Sequence, residues 1–318
     1  MTEGSTLVDE HLSALSERSR QLRLCHINTQ SMVSTFYELL VMIKGYPFDI
    51  VTMSETWLKD NPVRLQYVTI PGYGHVFRNR DRYWGGGVGA YLRDGVSYKR
   101  RTDIDNMAPE LEHLLIEIPG RNRHSKMLLG VLYRSNFIQD FHTWIDTVES
   151  LFSQLNVLWD GLLVVTGDVN VDMLTPAAPQ VRKYCDMLTS FKLYQLVTKP
   201  TRTTPTSKTL IDHIISNTPN RIAYCNVLPC PTISDHDAPY ACINIRVTRF
   251  QTRYKLLRNE KHFDEAKFKE DRNGVPFSTV YGVGEPNGKL DIFNSLFKPC
   301  LDKHAPLCRT KITRPPAP

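Results

Sequence analysis

The stretch that decides the reading is Gly161 to Asp172, GLLVVTGDVNVD. Leu162 to Val165 form a continuous apolar run rather than an alternating one, the pattern of a strand buried on both faces. The run stops at Gly167-Asp168-Val169-Asn170. An aspartate directly off the end of a buried strand costs stability unless it is paired, hydrogen-bonded or facing a cleft. If the backbone stays extended, Asp168 and Asn170 point the same way. Taken alone, Gly-Asp-x-Asn reads equally well as a strand ending in a polar turn. The arrangement recurs along the chain, and the recurrence carries the argument.

Upstream, Leu22 to Ile27 is a short β-type run that ends in Asn28-Thr29-Gln30-Ser31. Asp49 to Met53 reads as a buried strand ending in Ser54-Glu55-Thr56-Trp57. Leu114 to Ile118 and Met127 to Tyr133 read as a hairpin across the turn Pro119 to Ser125, and the second strand ends in Tyr133-Arg134-Ser135-Asn136. Downstream, Leu210 to Ile215 is an apolar strand with Asp212 set inside it; Ser234-Asp235-His236 then precedes a closing strand, Tyr240 to Val247. Helical spacing appears at Phe36, Leu39, Leu40 and Ile43, again from Phe141 to Leu155 with Asp140 as N-cap, and again at Val181, Tyr184, Cys185 and Leu188.

Intermixed strands and helices place the chain in the α/β (α+β) class. Polar residues stand repeatedly at strand ends: Asn28, Glu55, Tyr133, Asp168, Asn170, Asp212, Asp235 and His236. Such ends can converge on one rim of a sheet. Together they supply a hard-oxygen site and a base: Asn28 and Glu55 for magnesium (or manganese), Asp168 to orient or deprotonate water, Asn170 and His236 to hold phosphate oxygens. No Gly-x-Ser-x-Gly elbow or activating His/Cys pair is present, so no covalent nucleophile is implied.

Composition bounds the alternatives. The 318 residues are 41% hydrophobic, enough for a substantial core. The seven cysteines are odd in number and contain no C-x-x-C pair, which suggests reduced thiols in an intracellular protein rather than a disulfide framework or zinc site; the expected location is nuclear or intracellular. The start lacks a signal peptide's charged and apolar regions, and no run is long enough to span a membrane. Residues 1–247 hold 25 Lys+Arg against 25 Asp+Glu, and residues 248–318 hold 14 against 8, so the tail supplies the whole net charge of +6. A basic tail fits a polyanionic partner and, equally, a solvated linker.

Gly72 to Arg82 reads as a loop in which His75, Arg78, Arg80 and Arg82 alternate with Tyr73, Phe77, Tyr83 and Trp84 beyond it. Such interleaving suits phosphates and stacked bases, or an exposed loop that shields a sheet edge. Gly85-Gly86-Gly87-Val88-Gly89 lacks a phosphate-loop pattern and reads as strand glycines packed close to a neighbour. In the tail, Asn273 to Gly288 reads as a flexible connector, and Phe293, Leu296, Phe297 and Cys300 mark a helix whose apolar stripe packs on a neighbouring domain.

In order along residues 20 to 247, the motifs NTQS at Asn28, SETW at Glu55, YRSN at Tyr133, GDVN at Asp168, IDHI at Asp212 and SDH at His236 resemble the endonuclease/exonuclease/phosphatase superfamily. The resemblance implies a DNase I-like four-layer sandwich, two mixed sheets flanked by helices. It also implies roles: Glu55 and Asn28 on the metal with Asp235 nearby, Tyr133 and Asn170 on the scissile phosphate, Asp168 on the attacking water, and Asp212 orienting His236. Arg134, Asn136 and Ser234, from the same motifs, are expected to contact substrate. Gln30 stands where relatives often carry Arg or Asp, and Ser135 where Pro is common.

The tokens IVTMSETWL, GGGVGAYLRDG, LIDHIISN and ISDHDAPY look most like the endonuclease domain of non-LTR, LINE-type retrotransposons. Residues 1–20 are then a polar lead, 21–247 the endonuclease domain, and 248–318 a partly helical basic linker ahead of a reverse-transcriptase region absent from this chain. The implied activity is magnesium-dependent nicking of DNA that leaves a 3′-hydroxyl, with DNA and that reverse-transcriptase region as partners and no membrane. The alternatives are a phosphomonoesterase or RNA-directed nuclease on the same fold, or an inactive DNA- or protein-binding relic. The first is weakened because no P-A-W-C-D-R type segment follows GDVN.

Overall fold

A computed structural model describes residues 3–80, 83–120, 125–245 and 253–312. The chain divides into two compact units, 1–250 and 251–318. The residues read as a polar lead carry a helix, α1 (Glu3–Glu17), whose Leu15 is fully buried against the first unit.

The first unit contains two six-stranded sheets, a two-stranded ribbon of β10 (Arg202–Thr203) and β11 (Lys208–Thr209), and the short helices α3 (Pro62–Tyr67) and α4 (Thr102–Asp105). In the first, β1 (Leu22–Asn28) and β2 (Ile50–Ser54) are parallel, so the chain between them must cross over, and α2 (Phe36–Gly45) makes the crossing. β3 (Tyr73–Arg78) and β4 (Val88–Arg93) extend this sheet on one side, and β13 (Ile222–Leu228) and β14 (Ala238–Ile243) extend it on the other. The second sheet repeats the plan. β7 (Met127–Tyr133) and β8 (Leu162–Asp168) are parallel and joined through α5 (Phe141–Leu158). They are flanked by β5 (Lys99–Arg100) and β6 (Glu112–Ile118) on one side, and by β12 (Asp212–Ser216) and β9 (Tyr194–Gln195) on the other.

Three apolar layers account for the stacking. Leu24, Ile50, Ala90, Leu129, Val131, Val164 and Ile214 face one another between the two sheets. Leu39 and Ile43 of α2 cover Cys25, Val51 and Met53 on the outer face of the first sheet. Trp144, Val148 and Phe152 of α5, with Tyr184 and Leu188 of α6 (Pro179–Ser190), cover Leu128, Leu163 and Val165 on the outer face of the second. Alternate residues of each central strand thus enter two apolar layers, which is why those strands read as unbroken hydrophobic runs. The four-layer sandwich expected from the sequence is present.

Three readings need correction. Tyr73 to Arg78 is a strand, paired to β4 from Tyr73↔Arg93 to Arg78↔Val88, and not a loop; its mostly half-buried edge position masked the alternation. Of the glycine run only Gly89 lies in a strand, where a Cβ would strike the Phe77 ring, whereas Gly85, Gly86 and Gly87 form a left-handed turn with φ of 77°, 66° and 87°. Asp212 begins its strand and is not set inside it. The hairpin β6–β7 is as expected, with residues 121–124 of its turn outside the described residues, as are Arg82, Val247 and Arg249.

In the second unit, β15 (Arg253–Arg258) pairs antiparallel with β16 (Leu307–Ile312). α7 (Glu265–Asn273) is capped by Asp264, and α8 (Pro286–His304) begins inside the stretch read as a flexible connector. The apolar stripe of α8 is partly covered within this unit: Phe293 stacks on Phe277 and Phe297, Phe297 meets Phe268 and Cys300 is buried, while Phe293 stays 40% exposed. Among the described residues, no helix is long and apolar enough to cross a membrane.

Candidate active site

Strand direction brings the polar ends together. β1, β2, β7 and β8 end at one rim of the sandwich, and the antiparallel neighbours β12 and β14 begin there. Across the second sheet Asp212 is the register partner of Asp168. Between the sheets Thr52 meets Thr166 at 2.8 Å, and at the rim itself Asn28 Nδ2 donates to Asp168 Oδ2 at 2.8 Å. The same amide donates to Glu55 Oε1 at 2.9 Å, so one buried carboxamide ties together carboxylates from two sheets.

The turns that carry these groups are locally strained. Glu55 has φ 52°, Gln30 φ 41° and Asn170 φ 51°, values in the left-handed region that a non-glycine side chain resists. Backbone clamps hold them. Ser31 N–H donates to Glu55 O at 3.0 Å, Trp57 N–H to Gly86 O at 2.8 Å, and Asp168 Oδ1 accepts Asn170 N–H at 3.1 Å. The glycine turn serves this clamp: a Cβ on Gly87 would approach Thr56 Oγ1 to 2.6 Å.

His236 Nδ1 lies 2.8 Å from Asp212 Oδ2, and both side chains are buried. Burial opposes charge on the imidazole, but Asp212, Asp168 and Asp235 outweigh it and raise its pKa to about 9. Burial and the neighbouring Asp212 push the Asp168 carboxyl up to about 8. Burial, Glu55 and Asp168 together raise the Tyr133 phenol well above its ordinary value. Asp235 sits at the edge of the group, with Oδ1 accepting from Gln30 Nε2 at 2.6 Å and Oδ2 from Arg202 Nε at 2.7 Å. Burial alone would raise its carboxyl; the Arg202 bond and the His236 charge bring it below the usual range.

These groups surround a cavity of about 300 Å³ lined by Glu55, Tyr133, Asn136, Asp168, Asn170 and His236, with Gln30, Ser135, Phe137 and Arg202 completing the wall. Asn28 and Asp212, both fully buried, support it from behind.

Solved structures share this arrangement of elements. The endonuclease domain of TRAS1, a telomere-specific non-LTR retrotransposon, superposes with a TM-score of 0.55 over 71% of this chain and 99% of that one, at 12% identity. An AP endonuclease from Leishmania major superposes at 0.59 over 76% and 98%, at 10% identity. One from Archaeoglobus fulgidus superposes at 0.53 over 70% and 100%, at 18% identity. The fold is DNase I-like. No protein-family model and no curated protein matches the sequence.

Within this DNase I-like frame, the sequence candidates separate by position. Asn28, Glu55, Tyr133, Asp168, Asn170, Asp212 and His236 lie together, and Asn136 lines the cavity. Arg134 does not face it as a substrate contact: its guanidinium donates to Val169 O and Asn170 O, both at 2.8 Å, and lies 5.5 Å from the Phe141 and Trp144 ring centres. Ser234 also works from below, its hydroxyl donating to Asn28 O at 2.7 Å and accepting His236 N–H at 3.1 Å. Asn170 reaches the cavity from a left-handed turn and not from an extended strand, and its Nδ2 donates to Arg134 O at 2.8 Å.

Three lining residues had no signal of their own. Gln30 enters only as a departure from the family wording, Phe137 follows the YRSN motif without belonging to it, and Arg202 lies in the Thr/Pro/Lys-rich segment Thr198 to Thr209. Thr201 holds Arg202 in place: it is fully buried, its carbonyl accepts Asp237 N–H at 2.6 Å, and its hydroxyl accepts Asp212 N–H at 3.0 Å.

A hard cation fits the donor set. Asp168, Asp212 and His236 bring ligand atoms within 4.8 Å of one another. The imidazole of that trio commits its Nδ1 to Asp212 at 2.8 Å, and the surrounding carboxylates favour its charged form over the neutral ring that ligates a metal. Glu55 and Asp168, linked through Asn28, are therefore the better pair. They offer carboxylate oxygens without soft sulfur ligands, the preference of magnesium or manganese. Burial, and after it the charges of Asp212 and Glu55, raise the Asp168 pKa, and a divalent ion would offset the part due to charge.

Proposed function

We propose that this chain is a magnesium-dependent phosphodiesterase that nicks one strand of DNA and leaves a 3′-hydroxyl. The observation that carries the reading is the union of Asn28, Glu55 and Asp168 with the Asp212–His236 pair around one cavity. Glu55 would hold the metal with Asn28 beside it, Asp235 being the outer acidic group. When bound, the metal offsets charge that develops on the phosphate oxygens. Asp168 orients the attacking water and accepts its proton. His236, fixed by Asp212 and kept protonated, donates to a phosphoryl oxygen, while Tyr133 and Asn170 hold the group in place.

The likeness to the TRAS1 endonuclease domain and the tokens around Glu55 and His236 support a retrotransposon setting, in which a reverse-transcriptase region of a longer chain extends the nick. On that reading residues 21–247 are the nuclease and 248–318 a basic linker. The AP endonucleases among the neighbours support DNA as the substrate. The test is relaxation of supercoiled plasmid. The chain should nick in magnesium, stop on chelation, and leave ends that a DNA polymerase extends. Asp168→Ala and His236→Ala should each lower the rate by at least ~100-fold, the lower end of what positioned acid–base groups contribute. Nicking by either variant at the parent's rate refutes these roles.

A further inference from the structure

The charge of residues 248–318, 14 Lys+Arg against 8 Asp+Glu, is unevenly placed. All eight acidic residues fall from Glu260 to Asp302, between the two strands of the second unit. Several are neutralised where they stand: Glu265 by Lys269 at 2.7 Å, Asp271 by Lys303 at 2.6 Å and Asp302 by Arg258 at 2.6 Å. The strands themselves, β15 and β16, hold Arg253, Lys255, Arg258, Arg309 and Lys311 and no carboxylate.

The register sorts this ribbon into two faces. Tyr254 stands opposite Lys311, Leu256 opposite Arg309 and Arg258 opposite Leu307, and cross-strand partners share a face. The assignment agrees with a diagonal contact on that face, where the Arg309 guanidinium lies 4.1 Å from the Tyr254 ring centre. The base of the ribbon is fixed: Arg258 donates to Asp302 Oδ1 at 2.6 Å and to Ala305 O at 2.8 Å, and Asn259 N–H donates to Pro306 O at 3.0 Å. The rest of the face is open to solvent, with Tyr254 53% exposed, Leu256 66% and Leu307 52%. A two-stranded ribbon left open in this way is marginal in water and gains from an occupant.

The chemistry of the face selects that occupant. Basic groups without carboxylates beside them attract a polyanion. A guanidinium laid over an aromatic ring is a flat, cationic stacking surface, and a planar base fits it. An acidic peptide or a lipid headgroup would satisfy the charge but leave the ring unused. A duplex, whose bases are already stacked, would leave it unused as well, and only unpaired bases bring ring faces to Tyr254 and apolar contact to the two leucines. We propose that the Tyr254–Arg309 face of the β15–β16 ribbon binds a single-stranded polynucleotide. One base stacks on the guanidinium–ring pair, and the basic residues of the ribbon draw in the phosphates. The inference lies outside the nuclease reading and does not rest on it.

The experiment measures binding of the full chain to fluorescein-labelled oligo(dT) and oligo(U) by anisotropy in EDTA. A duplex of the same length and heparin, a polyanion without bases, run beside them. The tighter-bound of the two single strands identifies the sugar. Tyr254→Ala should weaken that binding about ten-fold, inside the roughly 5- to 150-fold span of base–aromatic stacking, and should leave duplex and heparin binding unchanged. Tyr254→Phe should keep the parent's affinity. Arg309→Ala should weaken single-strand binding and reduce its salt slope by about 0.7, the value of one phosphate contact. Parent affinity for both single strands in both alanine variants overturns the proposal. So does a loss in Tyr254→Ala that is as large on heparin or duplex as on the single strand.

Discussion

Gly167 shows how closely one residue governs the site. A Cβ there would collide with the Leu132 carbonyl of the neighbouring strand, so only glycine lets β8 pass β7 and deliver Asp168 to the rim. Gly167→Ala should lower stability by about 2–3 kcal/mol in urea denaturation, as overpacking does in a rigid interior, and should lower nicking more than the folded fraction alone explains. Unchanged stability would mean the strand has slack that the geometry does not show. The sequence revealed Asp168 and Glu55 because each sits at the end of an apolar run, and His236 because it stands just before one. It concealed what Asn28 does, since the spacing of residues cannot show that its amide links two carboxylates. Arg134 misled for a related reason: a surface motif gives no sign that a guanidinium will turn inward to backbone carbonyls.

At the scale of elements, long periodic segments were the most readable. α5 was visible from Phe141, Trp144, Ile145, Val148, Leu151, Phe152 and Leu155, and Asp140 caps it as expected. Asp140→Ala removes the acceptor for two first-turn N–H groups and should cost about 1 kcal/mol, measured by denaturant midpoint. β3 was unreadable because an edge strand with mostly half-buried residues lacks a clear apolar face. The stretch from Asn273 to Gly288 misled in the opposite sense: its prolines and glycines suggest a loose connector, but Pro286 occupies the first turn of α8, where proline suits a helix.

For the whole molecule, the expected layers follow from strands that are apolar on both faces, and the site follows from where parallel strands end. The same burial creates an acid liability. Burial lowers His113 to about 4, with Arg78 acting in the same direction, and burial lowers His213 to about 4 as well. Their folded values lie below the unfolded value of about 6.5, so the unfolded chain binds protons first as pH falls. The stability is fully present above pH ~6.5 and is lost as pH drops toward ~4, by roughly 3 kcal/mol per histidine at most. Asp168 and His236, both raised, act in the opposite sense on the total, so the direct check is an NMR titration of the individual imidazoles: His113 and His213 should protonate well below pH 6.5, and values at or above 6.5 for both would contradict the neutral, buried state.

The central claim is that side chains from both sheets form one cation-holding phosphate pocket. Anomalous diffraction from crystals soaked in manganese tests it most directly. The account predicts a peak within coordination distance of Glu55 beside Asp168, and its loss in Glu55→Gln. A peak that persists in Glu55→Gln, or a catalytically competent ion bound away from both carboxylates, would contradict it.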